Sequence, residues 1–138
     1  MPALTVRVVT PEGSVLNQET QSVVLPAIEG EMEVLPGHVP MMVQVKPGEL
    51  RVRQDGQYLN FAIGEGFARI LNTDVSLATD IAVKESDIDE DAVQAAIKRA
   101  EDALRAQTLK GEELEATQAA LARSLVQLNL KRRRHSRV

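Results

Sequence analysis

The sequence predicts an α+β chain, with β structure over residues 1–84 and an antiparallel two-helix hairpin over residues 85–138. Three observations predict it. Short β-branched runs with period-two alternation recur between turn signals through the first 84 residues. The apolar period lengthens to helical spacing near residue 86. A glycine, Gly111, then divides the helical part in two.

Leu4, Val6 and Val8 alternate with Thr5 and Arg7, as in a half-buried strand. Further runs predict strands at 22–25, 41–45, 49–53, 67–71 and 75–79. Asp55-Gly56 lies between two alternating runs and predicts a tight hairpin, since both residues tolerate positive φ. Pro36-Gly37 and Pro47-Gly48 mark other turns, and short strands at this spacing imply a sandwich or barrel. Asp87, with Glu90 three residues on, predicts a capping box, and Ser86 is a competing cap. Val93, Ile97, Ala100 and Leu104 form one helical stripe, which Gly111 is expected to end. A second helix is expected from about Glu112, with Leu114, Leu121, Leu125 and Leu128 along one face. The shared seam is narrow and rich in alanine, so the hairpin is expected to be held weakly.

Composition excludes several classes. With no cysteine, disulfides, thiolate nucleophiles and cysteine zinc sites are ruled out. One tyrosine and two phenylalanines leave almost no platform for stacking bases. The N-terminus lacks a signal-peptide pattern, and no apolar stretch approaches the roughly 20 residues that span a bilayer. Charge is uneven: residues 1–84 hold six basic and ten acidic side chains, whereas residues 131–138 hold five basic and none acidic. A basic tip attracts an acidic protein surface, phosphate or nucleic acid.

Catalytic constellations are missing from the pattern. His38 and His135 fall in different halves, and neither has the neighbours of a metal site. Gly64-Glu65-Gly66 lacks the third glycine of a dinucleotide fingerprint, Arg69 standing there, and reads as a glycine-rich strand junction. Glu29, Glu31 and Glu33 read as a solvated acidic rim in a loop, a polar contact surface being the sharper alternative.

The stretch from Glu29 to Pro40, EGEMEVLPGHVP, resembles the signature of the epsilon-subunit family of F-type ATP synthases, centred on P-G-H-x-P. Lys46-Pro47-Gly48 with Leu50-Arg51, Gly64-Glu65-Gly66-Phe67 and the opening 4–11 are similar to other family segments. The resemblance implies a flattened antiparallel β-sandwich of about ten strands followed by two helices. It also implies a non-catalytic rotor subunit whose β domain (1–84) binds the gamma subunit and the c-ring, coupling ion-driven rotation to ATP synthesis. Gly30, Glu31 and His38 are then the c-ring and gamma contact candidates. The helical domain (85–138) is implied to be regulatory and to inhibit ATP hydrolysis. Arg123 and Lys131, Arg132, Arg133 and Arg134 would meet an acidic segment of beta in the alpha–beta head.

Some family members bind regulatory ATP at the start of the first helix. Here Ile88-Asp89-Glu90-Asp91-Ala92 has Ala92 where arginine is expected, leaving Asp89 and Arg99 as remnants. Glu90 and Asp91 would repel a triphosphate, so no cofactor and weak or no ATP binding are expected. The resemblance implies a peripheral location on the cytoplasmic face of a bacterial plasma membrane, with a thylakoid setting as the alternative, and membrane contact only through the Fo sector. Two departures stand out: Glu33 and Glu65 occupy positions where the family has glycine. A positive φ at Glu33 would store roughly 1 kcal/mol or more of strain. A nucleic-acid module using the basic tail and a nucleotide-sensing domain are the competing readings. The first predicts salt-dependent RNA or DNA binding, and the scarcity of aromatics argues against it.

Overall fold

A computed structural model describes the backbone of residues 3–136 and the side chains of residues 3–133. The chain divides into two compact units, Met1–Lys84 and Glu85–Val138.

The first unit holds ten strands: β1 (Leu4–Thr10), β2 (Gly13–Thr20), β3 (Ser22–Ala27), β4 (Gly30–Val34), β5 (Met41–Val45), β6 (Gly48–Gln54), β7 (Gln57–Ile63), β8 (Gly66–Ile70), β9 (Asp74–Thr79) and β10 (Ala82–Lys84). They run in the order β10-β7-β6-β3-β5-β8-β9-β1-β2, with β4 paired on β3. The β3–β5 link is one residue pair, Ala27 opposite Val45, so the sheet folds there into two layers. Inward positions of both layers build one aliphatic core that includes Leu4, Val6, Val23, Leu25, Leu50, Ile63, Ile70 and Leu77. Alternation dictates this: in β1 the even positions 4, 6 and 8 are buried and the odd ones are not.

The predicted tight hairpin forms between β6 and β7, where Gln54 faces Gln57 across a two-residue turn. Asp55 and Gly56 take φ of 53° and 79°, the doubly left-handed pair whose twist matches that of the strands.

One feature departs from the antiparallel expectation. β1 and β9 pair in parallel, Val6 opposite Val75 and Val8 opposite Leu77, while the other pairs are antiparallel. β9 follows its other neighbour, β8, and meets β1 only after most of the unit has been traversed, so no hairpin turn joins the two.

The acidic loop expected at residues 29–33 is corrected to a strand. Glu31 and Glu33 lie in β4, opposite Pro26 and Val24 of β3. Met32 and Val34 turn inward and the glutamates outward, the ordinary alternation of a half-buried strand. Glu33 is not among the residues with positive φ, so the strain considered for it does not arise.

The second unit opens with a single 3-10 turn at Glu85–Asp87, followed by α1 (Glu90–Arg105) and α2 (Glu112–Ser136). The cap is Asp89, not Asp87: its carboxylate accepts a hydrogen bond from Ala92 N at 3.2 Å. Ile88, buried at 5% exposure, is held by its amide donating to Glu85 O at 3.2 Å, which uses 85–87 for the turn and moves the helix start onward. Helix α1 also stops before Gly111. Ala106 N donates to Asp102 O and Gln107 N to Leu104 O, and Gln107 takes the left-handed conformation at φ 57°. Val93, Ile97 and Ala100 are buried as the stripe predicts and Leu104 is half-buried; on α2 Leu128 is buried and Leu114 and Leu121 half-buried, whereas Leu125 is exposed and Leu130, outside the expected face, is buried in its place. No helix among the described residues is long and apolar enough to cross a membrane.

Candidate functional site

The β3–β4 turn and β5 frame a groove of about 490 Å³. Its walls include Ile28, Gly30, Glu31, Met32, Met41 and Met42. Ile28 N donates to Gln44 O at 2.9 Å, which fixes the turn against β5. Gly30 opens β4 immediately after this turn. Glu31 points outward and lies 3.6 Å from Arg51, whose guanidinium also sits 5.8 Å from the centre of the Tyr58 ring.

His38 is half-buried in the loop after β4 and does not line the groove. Its Nδ1 lies 2.8 Å from Val39 O, and the loop is tied to the β8–β9 turn by Gly37 N donating to Asn72 O at 2.7 Å. Of the three contact candidates, then, the structure gathers Gly30 and Glu31 at one groove and places His38 in the adjoining loop.

Sequence reasoning missed the apolar part of this surface. Val39, Met42, Phe67 and Ile28 are 69%, 64%, 57% and 54% exposed, large values for such side chains. A stripe crosses four strands of one layer, with Gln44 opposite Phe67, Phe67 opposite Ala78 and Ala78 opposite Val9, all exposed. The available signal was the phase of alternation. Val43 and Val45 turn inward, so Met42 and Gln44 must turn out.

The Gly64-Glu65-Gly66 junction links β7 to β8, with no helix following. A Cβ on Gly66 would collide with the backbone carbonyl of Ala78, so close strand approach requires this glycine, and phosphate binding need not be invoked.

In the helical unit, Lys131 Nζ donates to Glu85 O at 3.3 Å, and Arg132 Nε lies 3.5 Å from Glu90 Oε1. Arg123 is half-buried on α2 and Arg133 is exposed, and each has a polar partner. The Arg134 side chain lies outside the described residues. Asp89 is engaged as the α1 cap, and Arg99 is exposed ten residues further along the same helix. No cluster of metal-ligating side chains occurs among the described residues.

The chain thus presents an aliphatic sandwich with exposed apolar and acidic side chains, followed by a charged helical hairpin. Comparison with known proteins makes the class specific. Residues 3–85 match the family described as ATP synthase, Delta/Epsilon chain, beta-sandwich domain, and residues 86–131 match its long alpha-helix domain. The ATP synthase epsilon chain 2 of Ralstonia nicotianae is 42% identical over 130 residues, covering 93% of this chain and 92% of that one. The epsilon chain of Geobacter sp. is 35% identical over 127 residues, covering 92% of each. The Euglena gracilis mitochondrial ATP synthase structure contains a chain of the same fold, at a TM-score of 0.76 and 24% identity, with 91% of this chain and 79% of that one covered. The chain belongs to the ATP synthase delta/epsilon family, as an epsilon-type, non-catalytic subunit.

Proposed function

We propose that this subunit couples ion-driven rotation of the c-ring to ATP synthesis and restrains ATP hydrolysis through its C-terminal helices. On this reading the β unit binds gamma and the c-ring, and Arg123 with Lys131 to Arg134 meets an acidic surface of beta. The complex then sits on the cytoplasmic face of a bacterial plasma membrane. The observation that carries the reading is the groove where exposed Ile28 and Met42 stand with Glu31, with exposed Phe67 on the strand paired to β5. Patches of this kind on a small unit mark contact with another protein. An exposed ion pair to Glu31 would contribute only about 0–1 kcal/mol, so the apolar surface must supply most of the affinity.

The test is purification of the assembled complex carrying Met42→Asp together with Glu31→Lys. The altered subunit should be lost from the gamma and c-ring fraction, and wild-type retention would refute the reading. Deleting residues 131–138 should relieve inhibition of ATP hydrolysis in the assembled complex. Nucleotide plays no part in this account. Glu90 and Asp91 directly follow a cap, Asp89, that is already engaged, so titration calorimetry should detect weak or no ATP binding, and micromolar affinity would overturn that.

A further inference from the structure

We infer that the hairpin carries its own clasp: Glu90 in the first turn of α1 holds Arg132 near the end of α2, in competition with the acidic partner surface. The second half of this statement rests on the inhibitory reading above; the first half stands on geometry alone.

The pair is 3.5 Å apart, with the arginine side chain 59% exposed and the glutamate 31%. Beside it, Lys131 Nζ donates to Glu85 O at 3.3 Å. Two consecutive cations of the basic tip are thus engaged by the start of the same unit. Buried Leu128 and Leu130 lie just before them in sequence, and Ile88 and Val93 bracket Glu90. The apolar seam therefore brings the charges together, and the charges do not build the seam.

Position gives this contact its leverage. The connecting loop at 106–111 keeps the neighbouring helix ends close whether or not the hairpin is shut. Glu90 and Arg132 lie at the opposite, open end, where contact is lost as soon as the helices part. The same arginine cannot pair with Glu90 and reach an acidic segment elsewhere, so engagement of a partner through Arg132 begins by breaking this pair. A partly exposed ion pair shifts such an equilibrium only severalfold, about two- to fivefold, which biases a switch without locking it.

The intact chain contains no cysteine, so spin labels on Gln94→Cys and Asn129→Cys report the separation of α1 and α2 without interference. Glu90→Gln should raise the ratio of open to closed hairpin about two- to fivefold, Arg132→Gln should do the same, and the double variant should add nothing further. Asp91→Asn removes a charge from the same helical turn and controls for the helix dipole; its effect should be smaller. An additive double variant, or Asp91→Asn matching Glu90→Gln, would overturn the clasp.

In the assembled complex, Glu90→Gln should deepen inhibition of ATP hydrolysis and Arg132→Gln should not. An unchanged rate with Glu90→Gln, where deletion of 131–138 relieves inhibition, overturns the competition. If that deletion itself changes nothing, the inhibitory reading has failed, and the label distances alone decide whether the clasp exists.

Discussion

Glu33 stands where the family resemblance expects glycine, yet its backbone is extended and its neighbours in β4 and β3 are ordinary. Restoring glycine should therefore weaken the strand. Glu33→Gly is expected to lower the urea midpoint, by about 0.5–1 kcal/mol in stability, and a raised midpoint would reveal strain that the geometry does not show. Gly66 is the opposite case. Gly66→Ala places a methyl against the Ala78 carbonyl, part of a paired backbone, and should cost about 1–3 kcal/mol in the same titration. Gly64→Ala meets the Asp80 side chain, and also the Ile81 methyl at 3.1 Å, so its loss should be the smaller of the two. The sequence makes 64–66 readable as a strand junction. It cannot show which glycine is indispensable, because the obstructing atoms belong to residues 78–81, more than ten residues away.

Elements were legible where pattern and propensity agree. β1, β3, β5, β6, β8 and β9 announce themselves by short β-branched runs, and the Asp55-Gly56 turn fixes the β6–β7 register. β2, β4 and β10 did not. Residues 13–20, GSVLNQET, form an edge strand whose face is mostly solvated, so little apolar periodicity is needed. In β4, glycine and glutamate suggest a loop by propensity, and pairing with the central β3 overrides it. Helix ends were misplaced for a related reason: Ser86, Asp87 and Asp89 are all good caps, and the burial of Ile88 selects among them. The far end of α1 offers a test. Gln107 occupies a left-handed position that glycine fills at little cost, so Gln107→Gly should stabilise the hairpin by about 1 kcal/mol and raise its thermal midpoint. The groove and its exposed methionines were only half legible, since alternation gives the phase of β5 but not the neighbours that its outer face meets.

At the scale of the whole molecule, the continuous core cluster lies within residues 4–77. The β unit should accordingly fold without the helices. A chain ending at Lys84 is expected to unfold cooperatively in urea with a β-type circular dichroism spectrum; a gradual, non-cooperative loss would show that the sandwich depends on residues 85–138. The ladder between residues 5–9 and 74–78 also has a consequence for biosynthesis. The first strand to leave the ribosome has one permanent neighbour at once, β2, but must wait for nearly the entire unit to be synthesised before it meets the other. Pairings so distant along the chain form slowly, whereas a helical hairpin closes quickly. The sandwich, although made first, is therefore expected to set the pace at which a newly made subunit becomes ready to join its complex.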